Sequence, residues 1–83
     1  MSDRQDWLTF RDMLRGYRKD VGMTQAKFGE AIGYSTAYVC DIELGHRKPS
    51  VQFVENFTSK MSMPEGEATI WHRLGAEANG WKV

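Results

Sequence analysis

The stretch TQAKFGEAIGYSTAYVCDIELG, residues 24–45, decides the fold. Four apolar residues stand in it at spacings of 4, 7 and 3. These spacings predict two short helices, each with one apolar pair, and they turn both pairs toward one shared core. The four residues are Phe28, Ile32, Val39 and Ile42.

Small and polar residues in the same stretch mark where the two helices begin, end and approach each other. Thr24 and Ser35 stand just before the two periodic segments, where N-cap residues are expected. Gly33 follows the first segment, where a chain leaving a helix often adopts the left-handed conformation that glycine tolerates. Gly29 has no side chain and allows two backbones to come close. Together these residues predict a helix-turn-helix motif over residues 24–45.

This pattern resembles the helix-turn-helix of the Cro/CI-type repressor family, also called the XRE family. The resemblance extends from about Leu14 to Phe57, roughly half of the chain. It implies an all-α, lambda-repressor-like fold and a transcriptional regulator that binds double-stranded DNA. The matching positions are Gln25 at the start of the first helix, Gly29, Gly33, Ile42-Glu43, Gly45, the basic pair Arg47-Lys48, and Pro49-Ser50.

Helical periodicity continues on both sides of the motif. A first helix is predicted over about residues 5–20, ended by Gly22, and a fourth begins at Pro49-Ser50. A fifth is predicted from Pro64 to about Asn79. The chain is therefore predicted to form one domain, residues 1–83, as an all-α bundle of about five helices. The apolar stripe of the first helix is Trp7, Phe10, Leu14, Tyr17 and Val21, and that of the fourth is Phe53, Val54, Phe57 and Met61.

Composition limits the classes of function that fit. The single cysteine excludes an intramolecular disulfide, and no apolar run approaches the ~18 residues of a membrane span, so we expect a soluble, cytoplasmic protein. No nucleophile–base pair or phosphate-binding loop is apparent, so we do not expect an enzyme. Cys40, His46 and His72 lack the spacing of a zinc site, and neither a metal nor a cofactor is expected.

The balance of charge is the main compositional objection to DNA binding. Eleven basic and eleven acidic residues give a net charge of zero, whereas many DNA-binding domains are basic. The distribution weakens this objection, because a basic cluster, His46 to Lys48, follows the second helix of the motif. We therefore expect modest non-specific affinity for DNA and a moderate dependence on salt.

Four outward residues of the third helix are the candidates for contact with base edges in the major groove: Thr36, Ala37, Cys40 and Asp41. The resemblance implies that the positions of Thr36, Ala37 and Asp41 most often read bases. The hydroxyl group of Thr36 can donate or accept, and its methyl group can pack on the methyl group of thymine. Ala37 offers only apolar contact, which also favours thymine. Asp41 can accept from a cytosine amino group, or it pairs with His46 or Arg47 and contacts no base.

Five residues are expected to contact the DNA phosphates. The resemblance implies that Gln25 contacts the backbone and orients the recognition helix, and the free N–H groups of that helix start add to the site. Arg47 and Lys48 are expected to bind phosphates beyond the third helix. Ser35 either contacts a phosphate in addition to capping or only caps. Tyr38 either reaches a phosphate through its hydroxyl or packs.

Two further expectations concern structural contacts. The resemblance implies an ion pair between Arg18 and Glu43 that ties the first helix to the recognition helix. The C-terminal helix and tail, residues 64–83, carry more apolar surface than a small core can cover, which favours a homodimer interface. In the alternative reading, Trp71 and Leu74 only close the bundle. The expected interface residues are Ile70, Trp71, Leu74, Ala78 and Trp81.

The leading functional prediction is a dimeric repressor that binds a palindromic operator of a phage or mobile-element operon. An antitoxin that also binds a toxin through its tail is the first alternative. The second is a protein-interaction module that has lost DNA binding, which the neutral charge and Asp41 would suit.

Overall fold

The computed structural model describes the backbone of residues 6–79 and the side chains of residues 10–78. The described chain confirms the predicted all-α bundle, with helix bounds close to those expected. Within residues 6–79, no helix combines the length and apolar character needed to cross a membrane. The helices are α1 (Asp6–Asp20), α2 (Gln25–Ile32), α3 (Thr36–Leu44), α4 (Val51–Lys60) and α5 (Glu65–Asn79).

Side-chain caps fix the start of the three middle helices. The hydroxyl oxygen of Thr24 accepts a hydrogen bond from the backbone N–H of Lys27, at 3.1 Å. Ser35 accepts from Tyr38 in the same way at the start of α3, also at 3.1 Å. Ser50 begins α4 by accepting from Phe53 at 3.0 Å. Each cap satisfies a backbone donor that has no partner inside its helix, so short helices begin at defined residues.

Left-handed residues end the first four helices. Gly22, Gly33 and Gly45 follow α1, α2 and α3 with φ of 73°, 86° and 82°. At the end of α4 the same position is held by Ser62, with φ of 54°. In each case the next N–H donates to a carbonyl five residues back, which closes the helix end. These bonds are Met23 to Arg18 at 3.1 Å, Tyr34 to Gly29 at 2.8 Å, His46 to Asp41 at 2.8 Å and Met63 to Thr58 at 3.1 Å.

Of the four left-handed residues that end helices, Ser62 is the one that is not glycine. Replacing it by glycine should stabilise the protein. The left-handed conformation costs an L-residue roughly 1–2 kcal/mol, and the greater freedom of glycine in the unfolded chain offsets part of the gain. We expect Ser62→Gly to raise the free energy of unfolding by about 0.5–1 kcal/mol in a urea titration. The control Ser59→Gly, made inside α4, should lose stability. A loss of stability in Ser62→Gly would contradict the prediction.

Aromatic rings from four helices form the centre of the core. The ring of Phe57 in α4 is fully buried and meets Tyr17 of α1 at a centroid distance of 5.3 Å. It also meets Phe28 of α2 at 5.5 Å and Trp71 of α5 at 4.8 Å. All three contacts are edge-on, which suits the charge distribution of aromatic rings. The motif helices are therefore packed on a rigid base made by α1, α4 and α5.

Two of the α5 residues that were expected to form an exposed patch are buried, so the prediction was wrong for them. Trp71 is 3% exposed and Ala78 is 6% exposed, because α5 packs along α1 and α4 and closes the core within one chain. Leu74 is half-buried against the same core, so these residues follow the alternative reading. Ile70 remains 48% exposed. Trp81 lies outside the described residues.

The predicted stripe of α1 is correct in its middle and wrong at its end. Phe10 and Leu14 are buried, and Tyr17 is half-buried against the core. Val21 is 43% exposed because α1 ends at Asp20 and the chain turns away at Gly22. The side chain of Trp7 lies outside the part of the chain that the structure describes.

Candidate nucleic-acid interface

The turn between α2 and α3 runs directly against Gly29. A Cβ atom at this position would lie 2.5 Å from the carbonyl oxygen of Tyr34 and 3.2 Å from that of Ser35. The close backbone approach expected at Gly29 is therefore present, although its partner is the turn and not the helix α3 itself. The carbonyl of Gly29 also accepts hydrogen bonds from the N–H groups of Gly33 and Tyr34, both at 2.8 Å. This contact sets the position of α3 relative to α2.

A buried carboxylate holds α3 from the opposite end. Glu43 is 4% exposed and accepts two hydrogen bonds from Arg18, from Nε at 2.7 Å and from Nη2 at 3.1 Å. Gln25 donates from Nε2 to the same carboxylate at 3.1 Å, and Arg18 also donates from Nη1 to the carbonyl of Met23 at 2.8 Å. The hydrogen bonds to Glu43 raise the pKa of Arg18 above its ordinary value. The network joins α1, α2 and α3 at a single point.

Arg11 makes a second contact between α1 and α3, which was not predicted from the sequence. Its Nη1 donates to the carbonyl oxygen of Leu44 at 2.7 Å, at the negative end of the α3 dipole. Arg11 and Arg18 lie two turns apart on α1 and bind consecutive residues of α3, Leu44 and Glu43. The seven-residue spacing of the two arginines is the feature of the sequence that could have indicated the contact made by Arg11. Both arginines therefore support α3 from behind.

The outward face of α3 carries the residues expected to read bases. Thr36 and Ala37 are exposed, and Cys40 and Asp41 are half-exposed. Val39 and Ile42, at 0% and 1% exposure, fix this orientation by facing the core.

The structure does not support a pairing of Asp41 with His46 or Arg47. Among the described residues the ion pair is Arg18–Glu43, so the Asp41 carboxylate has no charged partner there. The backbone carbonyl of Asp41, and not its carboxylate, accepts from the N–H groups of His46 and Arg47, at 2.8 and 3.2 Å. The carboxylate is left available at the surface.

Tyr38 packs, and its ring carries a cation. The guanidinium carbon of Arg47 lies 4.7 Å from the centre of the ring. The ring also contacts Tyr34 at 4.6 Å and Phe53 at 5.5 Å. Burial raises the pKa of Tyr34, with Tyr38 adding to this effect and a hydrogen bond to Ser50 opposing it. The side chain of Tyr38 thus connects the first turn of α3 to the chain that follows Gly45.

The remaining expected phosphate contacts flank the exposed face of α3. His46, Arg47 and Lys48 are all exposed beyond the end of the helix. Ser35 is exposed and caps α3. Gln25 is half-buried and donates to Glu43 on α3, and its expected role in orienting that helix stays a prediction. Phosphate contact itself stays a prediction for each of these residues.

Comparison with protein families matches residues 9–68 to a model described as a helix-turn-helix domain. Comparisons with curated proteins and with solved structures give no significant match. The match covers well over half of the 83-residue chain and contains α2, the turn and α3. The protein therefore belongs to the XRE-like helix-turn-helix domain family of DNA-binding regulators.

Proposed function

We propose that this protein is a sequence-specific repressor that binds a palindromic operator as a homodimer and blocks a promoter. The observation that carries the proposal is the outward row Thr36, Ala37 and Asp41 on a helix held at both ends. Gly29 fixes one end of α3 through the turn, and Arg18 and Arg11 fix the other. A helix fixed in this way presents a constant surface to the major groove.

The chemistry of the row indicates which bases it would prefer. The Thr36 hydroxyl donates or accepts, and its methyl group and that of Ala37 suit the methyl group of thymine. The free carboxylate of Asp41 accepts from a cytosine amino group and repels the acceptor atoms of guanine. Asp41 therefore contributes selectivity more than affinity, because a carboxylate is also repelled by nearby phosphates.

Cations at the end of α3 supply the attraction to phosphates. Arg47 and Lys48 are exposed beside the proposed reading face, and Ser35 lies exposed at its beginning. Because the chain has no net charge, this local cluster must compensate for acidic residues elsewhere. We expect weak binding to DNA of unrelated sequence and a clear dependence of affinity on salt.

The proposed dimer contact is a largely apolar groove between α1 and α5, which Asp20 and Glu67 also line. Met13 and Ile70, which are 41% and 48% exposed, lie on this groove beside Gly16 and Trp71. Large apolar side chains grouped at a surface favour a protein contact. A second copy of the chain is the partner that a palindromic site requires, since the two-fold axis of the protein then matches that of the DNA.

Selection of binding sites from a random DNA library, at about 100 mM salt, tests the proposal. Enrichment of an inverted repeat with half-sites about one helical turn apart would support both specific binding and the dimer. A single half-site would replace the dimer by a monomer. No enrichment, with the protein shown to be folded, would overturn DNA recognition and favour a protein-interaction module.

Replacing Asp41 by asparagine should change the selected motif at one position in each half-site. Asparagine both donates and accepts, so the preference for cytosine should relax at that position while the others stay unchanged. The loss of discrimination corresponds to about 1–3 kcal/mol. The matched control Glu77→Gln removes the same charge from α5 and should leave the motif as it is. A motif unchanged by Asp41→Asn would contradict base reading by this residue.

A further inference from the structure

The guanidinium group of Arg47 lies over the ring of Tyr38. We propose that Tyr38 is a positioning residue: its ring holds the Arg47 guanidinium for contact with a DNA phosphate, and its hydroxyl takes no part in binding. This inference rests on the proposed DNA binding and assigns a mechanism to one of its contacts. It replaces direct contact between the Tyr38 hydroxyl and a phosphate.

The ring is a fixed support. Its neighbour Phe53 is fully buried in the core, with the two ring centres 5.5 Å apart and the planes inclined by 30°. The ring of Tyr34 also packs on the Tyr38 ring, with the two ring centres 4.6 Å apart. Tyr34 in turn packs edge-on against Phe53 at 5.1 Å. A cation placed over such a ring is attracted by the negative face of its π-system.

Arg47 is attached to α3 at two points, although it lies beyond the end of the helix. Its backbone N–H donates to the carbonyl of Asp41 at 3.2 Å, and its guanidinium lies over Tyr38. These two anchors are three residues apart, on one side of α3. Arg47 is therefore held by α3. Its contact with a phosphate then keeps a fixed position relative to the base contacts that α3 makes.

This arrangement leaves the binding edge of Arg47 available. A guanidinium is planar, so it can rest its face on a ring while its N–H groups point outward to a phosphate. Arg47 is exposed to solvent. A long side chain held in place before binding loses less conformational freedom when the phosphate arrives, which favours affinity. Lysine lacks the flat face and would not be held in the same way.

Fluorescence anisotropy with the duplex from the selection experiment, and with a mixed-sequence duplex, measures the effect across a salt series. Arg47→Ala removes one proposed phosphate contact from each protomer of the dimer, so it should lower the salt slope by about 1.8 and weaken binding about 60-fold at about 100 mM salt. Tyr38→Leu removes the ring from both protomers and should weaken binding about 5- to 30-fold. When Tyr38→Leu is combined with Arg47→Ala, it should cause no further loss of affinity. Tyr38→Phe keeps the ring and should bind like the wild type.

Two further variants separate positioning from a general effect on the fold. Tyr17→Leu removes another half-buried tyrosine ring, which packs on Phe57 and Trp71 and not beneath Arg47, and it should leave affinity unchanged. Arg47→Lys keeps the charge at an exposed site and should weaken binding of the dimer about 5- to 30-fold, which tests the stacking even where Tyr38→Leu fails to fold. Thermal unfolding identifies the folded variants.

Three results would overturn the assignment. A loss of affinity in Tyr38→Phe equal to that in Tyr38→Leu would assign the contact to the hydroxyl. An undiminished effect of Tyr38→Leu in the Arg47→Ala background would show that the two residues act independently, and an unchanged affinity in Arg47→Lys would exclude stacking. Failure of the wild-type protein to bind either duplex would instead overturn the proposed function.

Discussion

Replacement of Glu43 by alanine is expected to lower the free energy of unfolding by about 3–5 kcal/mol. The side chains of Arg18 and Glu43 are only 12% and 1% exposed, so the substitution leaves a guanidinium largely buried without its counter-charge. The Nε2 donor of Gln25 loses the same partner. A domain of this size has a total stability of roughly 4–12 kcal/mol, so the loss is a large fraction of the total and brings the variant close to unfolding at the lower end of this range.

A double replacement tests whether the missing partner, and not the missing contact, causes the loss. Arg18→Met with Glu43→Leu removes both charges and keeps most of the volume, and it should recover most or all of the lost stability. Urea titrations of Arg18→Met, of Glu43→Leu and of the double variant give the three free energies of unfolding that the comparison needs. Losses that simply add in the double variant would contradict the argument. The double variant also tests function, since a stable protein with weakened binding would show that the pair serves to orient α3.

Replacement of Gly29 by alanine is expected to destabilise the protein by about 1–3 kcal/mol. Alanine in a helix ordinarily gains about 1 kcal/mol over glycine, so the expected sign is opposite to that of helix propensity. The reason is the carbonyl oxygen of Tyr34, which would lie 2.5 Å from the new Cβ and belongs to backbone that two hydrogen bonds hold in place. The turn must move, and α3 moves with it.

Gly16→Ala is the matched control for this prediction. Gly16 lies inside α1, and a Cβ added there meets nothing within 4 Å. The control should therefore gain about 0.5–1 kcal/mol, while Gly29→Ala loses stability in the same urea titration. Circular dichroism should show similar helix content in both folded variants. Equal gains in the two variants would mean that the turn accommodates a methyl group at Gly29 without strain.

The helices could be predicted from the sequence because local residues set their limits. Thr24, Ser35, Gly33 and Gly45 each act within a few residues of their own position, as caps or as left-handed helix ends. Tertiary packing was harder to predict. Adjacent residues Ile70 and Trp71 are both large and apolar, and the sequence does not tell which of the two faces the core. The neighbours Phe10 and Phe57 decide this, and they come from distant parts of the chain.

In the candidate site too, some features could be predicted from the sequence and others could not. The exposed position of Ala37 follows directly from the buried ones, because Ala37 lies on the side of α3 opposite to Val39 and Ile42. Thr36 lies three residues from Val39, toward the side of the helix, and it is exposed where α3 begins. The contacts of long side chains do not follow from spacing. Arg11 and Arg47 each have many rotamers, and the partner that each one binds depends on where the end of α3 lies after folding.

On α3, the residues that support the fold are separate from those proposed to contact bases, and this has a consequence for how the protein can evolve. The fold depends on Val39, Ile42 and Glu43, which face inward, while Thr36 and Ala37 are exposed and lie outside the core. Substitutions at such exposed sites usually change stability by no more than about 0.5 kcal/mol. Under the proposed function, a lineage could therefore change its base preference at these positions at little cost to folding, and single amino-acid substitutions would give access to new DNA targets.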